Sequence, residues 1–277
     1  MPELPEVQSV IDSLKEQGCL NRTITNIESI MPKIFKNCSY EDFTHYIINE
    51  QIKDITRKGK YLIFHLTNDK VFVVHLRMEG KLFFEKTDSS YDKKHVLVKI
   101  EMDDYEIRYH DTRRFGTFTI YNENNYLDSK EIKKLGLDPL EEEFDWKYLK
   151  NNIKKSNRAI KTTLLDQENV SGIGNIYADE ILFASSIHPE TIANKLTDND
   201  FKKIAENSRI ILAKAVENKG TTIATYFFKK EQKGEFQKFL KVHTKKDFDC
   251  VNCKNKIVKI KVNGRGTYLC LKCQKKK

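Results

Sequence analysis

Hydrophobic positions fall into three regimes along the chain. Val7, Val10, Ile11 and Leu14 recur at helical spacing, giving one apolar face of a helix that begins almost at the amino group and ends near Gly18. From Thr23 to about Tyr121 the pattern becomes short β-rich runs, among them YLIFHL, KVFVVHL, HVLVKIEM and GTFTIY, separated by Gly, Asn and Asp. Such spacing predicts an antiparallel sandwich or barrel. Helical periodicity returns between Trp146 and about Asn218, in WKYLKNNI, AIKTTLLDQ, NIYADEILFASS and DNDFKKIAENSRIILAKAVEN. Between these regimes the chain is polar and acidic, with Glu141, Glu142 and Glu143 following Pro139, which reads as a linker. The predicted class is α+β: a β-sandwich domain over 1–125 carrying the first helix, a linker over 126–145, a helical domain over 146–237, and a cysteine-bearing tail over 238–277.

Composition narrows the class. The 277 residues are 39% hydrophobic and 32% charged, with a mean hydropathy of -0.60, as expected of a globular chain with room for more than one core. No run of about 20 apolar residues occurs, and the first 30 residues lack a basic segment followed by an apolar one, so a cytoplasmic location is expected. The net charge of +9 is concentrated: from Lys238 to Lys277 there are 13 Lys or Arg against two Asp, leaving the remainder near -2. A basic block of this kind suits a polyanion, although a solvated lysine-rich face has the same composition.

Four of the six cysteines, Cys250, Cys253, Cys270 and Cys273, form C-x2-C-x16-C-x2-C. Two such pairs can supply four thiolates to one structural zinc ion, with room for a β-hairpin between them. Two redox dithiols are the competing reading, weakened by the absence of a βαβ context. Cys19 and Cys38 read as buried free thiols. Between the cysteine pairs, NGRGTY places Gly264 and Gly266 as turn residues and Arg265 near an exposed tip, suited to a phosphate. In SGIGNIYADEIL, Asn175 follows a glycine turn where a helix begins, reading as an N-cap whose helix start could receive an anion.

The opening MPELPEV places two prolines and two glutamates within six positions. By local rules this is a helix start: proline in the first turn, with acids facing the positive end of the helix dipole.

Taken together, PELPEV, RKGKYL, HLRMEGKL, DTRRFG, LGLDPL, SGIGNIYADEILF, GTT with EFQ, and RGTYLCLKCQ resemble the bacterial formamidopyrimidine-DNA glycosylases, in that family's order and from Met1 to Gln274. The resemblance implies an N-terminal β-sandwich, a helix-two-turns-helix domain with a lesion-capping loop, and a β-hairpin zinc finger, with DNA in the cleft between them. It implies a monomeric base-excision enzyme that acts on double-stranded DNA containing an oxidised base or abasic site. By the same resemblance it is expected to remove oxidised purines (formamidopyrimidines, 8-oxoguanine) and to cut the strand by β,δ-elimination.

Carried over residue by residue, the resemblance makes Pro2 the nucleophile once Met1 is removed, Glu3 the acid at the sugar O4', Glu6 a group that tunes Glu3 or holds the amine, and Lys60 a lysine near the reacting sugar and phosphate. Lys58 competes for that last role. Arg265 is implied both at the catalytic phosphate and in DNA binding. Met78, Arg113 and Phe115 match the wedge that fills the space of a flipped base, and His75, Arg114, Lys161, Asn175 and Arg265 match phosphate contacts. Where the family has Leu-Arg/Lys-Asp-Phe and Val-Tyr-Gly-Arg runs, this chain reads IATYF and KVHTK. The resemblance therefore supports formamidopyrimidine excision more directly than selectivity for 8-oxoguanine. Two other readings stay open: an endonuclease VIII-like enzyme for oxidised pyrimidines, and a non-catalytic DNA-damage-binding zinc protein. The intact PELPEV and the Met78, Arg113, Phe115 set favour the first reading over both.

Overall fold

The computed structural model describes residues 1–221 and 234–277. The chain divides into two compact units, one of Met1–Lys133 with Lys219–Glu235, the other of Lys134–Asn218 with Phe236–Lys277. The loop expected to cap a lesion, between Thr221 and Phe236, falls over 222–233 outside the described residues.

In the first unit, helix α1 (Leu4–Glu16) is followed by β1 (Asn26–Ser29), α2 (Tyr40–Ile47), β2 (Ile52–Lys58), β3 (Tyr61–Leu66), β4 (Lys70–His75), β5 (Lys81–Lys86), β6 (Val96–Met102), β7 (Tyr105–His110) and β8 (Thr117–Asn122). The strands form two antiparallel four-stranded sheets, ordered β1-β6-β7-β5 and β2-β3-β4-β8. One core serves both: Ile27, Ile100 and Ile107 of the first sheet and Phe64, Phe72 and Phe118 of the second are buried in a single cluster. Val7, Val10, Ile11 and Leu14 join it, the stripe that the 3-4-7 spacing predicts.

The alternating runs of β5 and β6 bury one face, whereas β4 is buried almost throughout. Val71 and Val73 of β4, with Ile63 of β3, pack on the far side against Ile132. The acidic stretch therefore contributes Ile132 to this unit, and Phe144, also buried, to the second.

The second unit contains α3 (Trp146–Ile153), α4 (Ile160–Leu164), α5 (Asn175–Ala184), α6 (Asp198–Glu217) and a two-stranded hairpin of β9 (Val258–Val262) and β10 (Arg265–Leu269). Asp145 caps α3 through the Tyr148 amide, and Thr197 with Asp200 makes a capping box at α6, as expected of these residue types at helix starts. None of the described helices is long and apolar enough to cross a membrane.

Candidate active site

Met1 is exposed, but the residues that follow it are enclosed. Pro2 is buried, and Glu3 and Glu6 are 3% and 4% exposed. Glu3 is the N-cap of α1, with Pro5 in the first turn, and Glu3 and Glu6 form a reciprocal capping box in which the Glu3 amide donates to Glu6 Oε2 at 2.9 Å. The other oxygen of Glu6 accepts from the Thr221 amide at 2.7 Å and the Thr221 hydroxyl at 2.9 Å. Gly220, at φ +70°, lets that chain approach: a Cβ there would stand 2.7 Å from Glu6 Oε1. One carboxylate thus ties the helix start to the chain entering the loop, a long-range partnership that Thr221 gave no sequence signal of.

The Met1 amine has its pKa lowered from an ordinary 8.0. Burial is the largest cause; Glu3 and Glu6 oppose it, Lys60 reinforces it, and Glu79 opposes it. Lys60, in the β2–β3 turn, is 5% exposed, and Lys58 is half-buried; of the two, Lys60 is the one whose charge reaches the Met1 amine.

His75, at the end of β4, is buried. Its Nδ1 accepts the Arg77 amide at 2.9 Å, which fixes the neutral ring with its proton on Nε2. Burial, followed by Arg77 and Lys60, pushes its pKa down to about 3. His75 is therefore a neutral donor across the whole working pH range.

Met78 is half-buried in the 77–79 turn, and Arg113, Arg114 and Phe115 are exposed in the β7–β8 loop. The Arg113 guanidinium lies 5.2 Å from the Phe115 ring centre, close enough for a cation–π contact. Phe115 is 54% exposed.

In the second unit, two expectations need correcting. Gly174, not Asn175, is the N-cap of α5; Asn175 is the first helical residue, and its Nδ2 donates to the Gly266 carbonyl at 3.0 Å. Lys161, expected at a phosphate, is fully buried. Its ammonium donates to Asp179 Oδ1 at 2.7 Å, Thr267 Oγ1 at 2.8 Å and the Gly266 carbonyl at 3.3 Å. Asp179 also takes His243 Nδ1 at 2.8 Å, and Glu180 accepts three consecutive amides, Lys241 to His243. The reason is the low dielectric of the site: a buried cation must be paired, and the hairpin supplies the partners.

The hairpin turn is Asn263-Gly264, both at positive φ, the residue pair that a two-residue turn favours. Gly266 lies within β10 rather than in the turn, and Arg265, the first residue of β10, is exposed.

Sγ atoms of Cys250, Cys253, Cys270 and Cys273 all lie within 4.8 Å of one another, with Cys250 to Cys273 at 3.8 Å and Cys253 to Cys270 at 3.4 Å. Zn–S bonds of about 2.3 Å in a tetrahedron put sulfurs roughly 3.8 Å apart, so the four fit one closed structural zinc ion. Cys19 is buried, its thiol pushed up to about 12 by that burial. Cys38 is only half-buried, pushed up to about 11, also by burial.

A two-sheet unit whose first helix starts with buried acidic residues beside a buried lysine, and a helical unit braced to a four-cysteine hairpin, define a zinc-finger protein. Three family models match it: the formamidopyrimidine-DNA glycosylase N-terminal domain over 1–118, the H2TH domain of those enzymes over 135–226, and the zinc finger found in FPG and IleRS over 250–276. The formamidopyrimidine-DNA glycosylase of Mycoplasma pneumoniae is 50% identical over 276 residues, covering 99% of each chain. A Lactococcus lactis FPG variant in complex with Fapy-dG-containing DNA superposes with a TM-score of 0.93 at 36% identity, over 99% of this chain and 100% of that one. L. lactis Fpg bound to abasic-site DNA matches equally well, at 0.93 and 36% over the same shares. The chain belongs to the formamidopyrimidine-DNA glycosylase family.

Proposed function

We propose that the protein is a bifunctional DNA glycosylase and abasic-site lyase of base excision repair, acting in the cytosol on formamidopyrimidines and related oxidised purines. The carrying observation is geometric: Pro2 is buried at the start of α1 together with the carboxylates of Glu3 and Glu6 and with the buried Lys60.

With Met1 removed, the secondary amine of Pro2 attacks the sugar C1'. The C1'–N bond to the base breaks, and the base leaves with a proton. Glu3 protonates O4' as the ring opens, and an iminium forms between Pro2 and C1'. Its positive charge acidifies the C2' proton; loss of that proton expels the 3'-phosphate, and a second elimination expels the 5'-phosphate. Water then releases the proline. Lys60 keeps the amine neutral for attack, and Glu6 holds the helix start that carries Pro2 and Glu3.

Met78, Arg113 and Phe115 fill the space of the extruded nucleotide. His75, through Nε2–H, Arg114 and Arg265 contact phosphates. Lys161 serves DNA binding indirectly, by holding the hairpin that presents Arg265, and Asn175 supports the same hairpin. The domain division that goes with this function is a catalytic domain over 1–125, a DNA-binding domain over 146–237 and a zinc finger over 238–277.

Borohydride trapping on formamidopyrimidine, 8-oxoguanine and abasic duplexes tests the reading: a covalent adduct is expected at Pro2. No adduct on any of these, with Pro2 confirmed as the terminus, overturns it.

A further inference from the structure

We propose that Tyr109 and Asp111 are positioning residues that lock the loops bearing Met78, Arg113 and Phe115 into one preorganised wedge. The inference rests on the reading of those three side chains as the group inserted into DNA.

Asp111 is fully buried, yet its carboxylate serves the loop around it. Oδ1 accepts the Arg113 amide at 2.9 Å; Oδ2 accepts the Phe115 amide at 2.9 Å, the Gly116 amide at 3.0 Å and the Tyr109 hydroxyl at 3.0 Å. Arg114, between those amides, takes the left-handed conformation at φ 59°, which lets the backbone wrap the carboxylate. The loop's side chains therefore face solvent while its amides face a buried charge.

Tyr109, also fully buried, supports the other loop through the same hydroxyl. A Cβ on Gly80 would lie 2.5 Å from it and a Cβ on Gly116 1.7 Å from it. Glycine at both positions is what allows the 77–79 turn and the 111–116 loop to rest on one oxygen. Gly80 closes its turn by donating to the Leu76 carbonyl at 3.0 Å, and the Thr112 hydroxyl donates to Glu79, joining the loops directly.

Opening a base step costs a few kcal/mol, and ordering loose side chains during insertion adds to that cost. A wedge held rigid beforehand avoids the second term. The predicted effect is therefore specific to substrates whose stack must be opened.

The test uses the full chain with Met1 removed, in single-turnover reactions on a duplex with formamidopyrimidine opposite cytosine and on an abasic site facing a one-nucleotide gap. Losing part of a charged hydrogen-bond set should make Asp111→Asn about tenfold or more slower on the paired duplex. Tyr109→Phe should fall between it and wild type, and both should stay within about threefold of wild type on the gapped site. The rise of 2-aminopurine fluorescence beside the lesion should slow in parallel. Wild-type excision of the paired lesion by both variants overturns the proposal, as does an equal loss on the two substrates, which marks a general folding defect. If Asp111→Asn fails to fold, Tyr109→Phe decides by the same criterion. Met78→Ala and Phe115→Ala separate the premises: if they leave paired excision intact, the wedge reading has failed, whereas if only they impair it, the platform has.

Discussion

At the residue scale, the reactive behaviour of this chain comes from where ordinary groups are placed. Burial lowers the pKa of the Met1 amine; if the Pro2 amine proposed as nucleophile meets the same surroundings once Met1 is removed, it loses activity only as pH falls through a similarly lowered value. Single-turnover adduct formation should accordingly hold its rate at neutral pH, with an acid limb below that of an exposed terminal amine. Lys60→Met should move the limb to higher pH, since it removes a charge that opposes protonation.

His75 gives a separate handle on stability. It stays neutral when folded down to about 3 but protonates near 6.5 when unfolded, so the unfolded chain binds the extra proton between these values. Stability present above pH 6.5 is lost on acidification by up to ~1 kcal/mol per pH unit, and thermal melts of His75→Gln should show a shallower decline. The four cysteines were legible as a ligand set from their spacing, and Pro2 and Glu3 as a helix start. The neutrality of His75 was not, because it depends on burial and on an amide two residues away that only the turn brings round.

Elements show the same division more sharply. Helix α1 and most of the strands follow from periodicity, whereas α2, within the stretch read as strands, and β2 do not; Asn263-Gly264 is a turn signal that local chemistry explains. Lys161 is the contrary case: in sequence it is one more lysine of a basic protein, yet α4 and α5 place its ammonium on Asp179 and against β10. Removing one member of a buried ion pair leaves the other uncompensated, at about 3–5 kcal/mol. Lys161→Met should therefore lower the urea midpoint of the second unit strongly, with loss of DNA affinity as a consequence. Replacing both partners, Lys161→Met with Asp179→Leu, should recover much of that stability; a double variant as weak as the single would argue that Asp179 does more for His243 than for Lys161. Asp111 was within reach of local reasoning, since Asp at the start of a polar turn commonly receives amides two residues on, but its service to both loops needs Tyr109, which the sheet supplies.

For the whole molecule, charge and metal set the expected behaviour. The hairpin's cluster is small, with Val242, Cys250, Ile257 and Cys270 buried beside Phe183, too little core to fold without its ion. Chelation of zinc should abolish DNA binding while the circular dichroism of the β-sandwich persists. Binding should also weaken steeply with salt, and Arg265→Ala should reduce the log-log slope by roughly one; a flat slope would remove the phosphate-track reading. The sequence by itself determined the α+β class, a strand-rich first domain, the zinc ligands and the family, because periodicity, turn chemistry, metal-ligand spacing and motif order are local in the chain. Only the tertiary structure decided that Glu6 meets Thr221, that Lys161 is buried rather than displayed, and that two loops 33 residues apart share Tyr109 and Asp111. Those outcomes depend on which polar groups lose water together, and burial is a property of the packed whole.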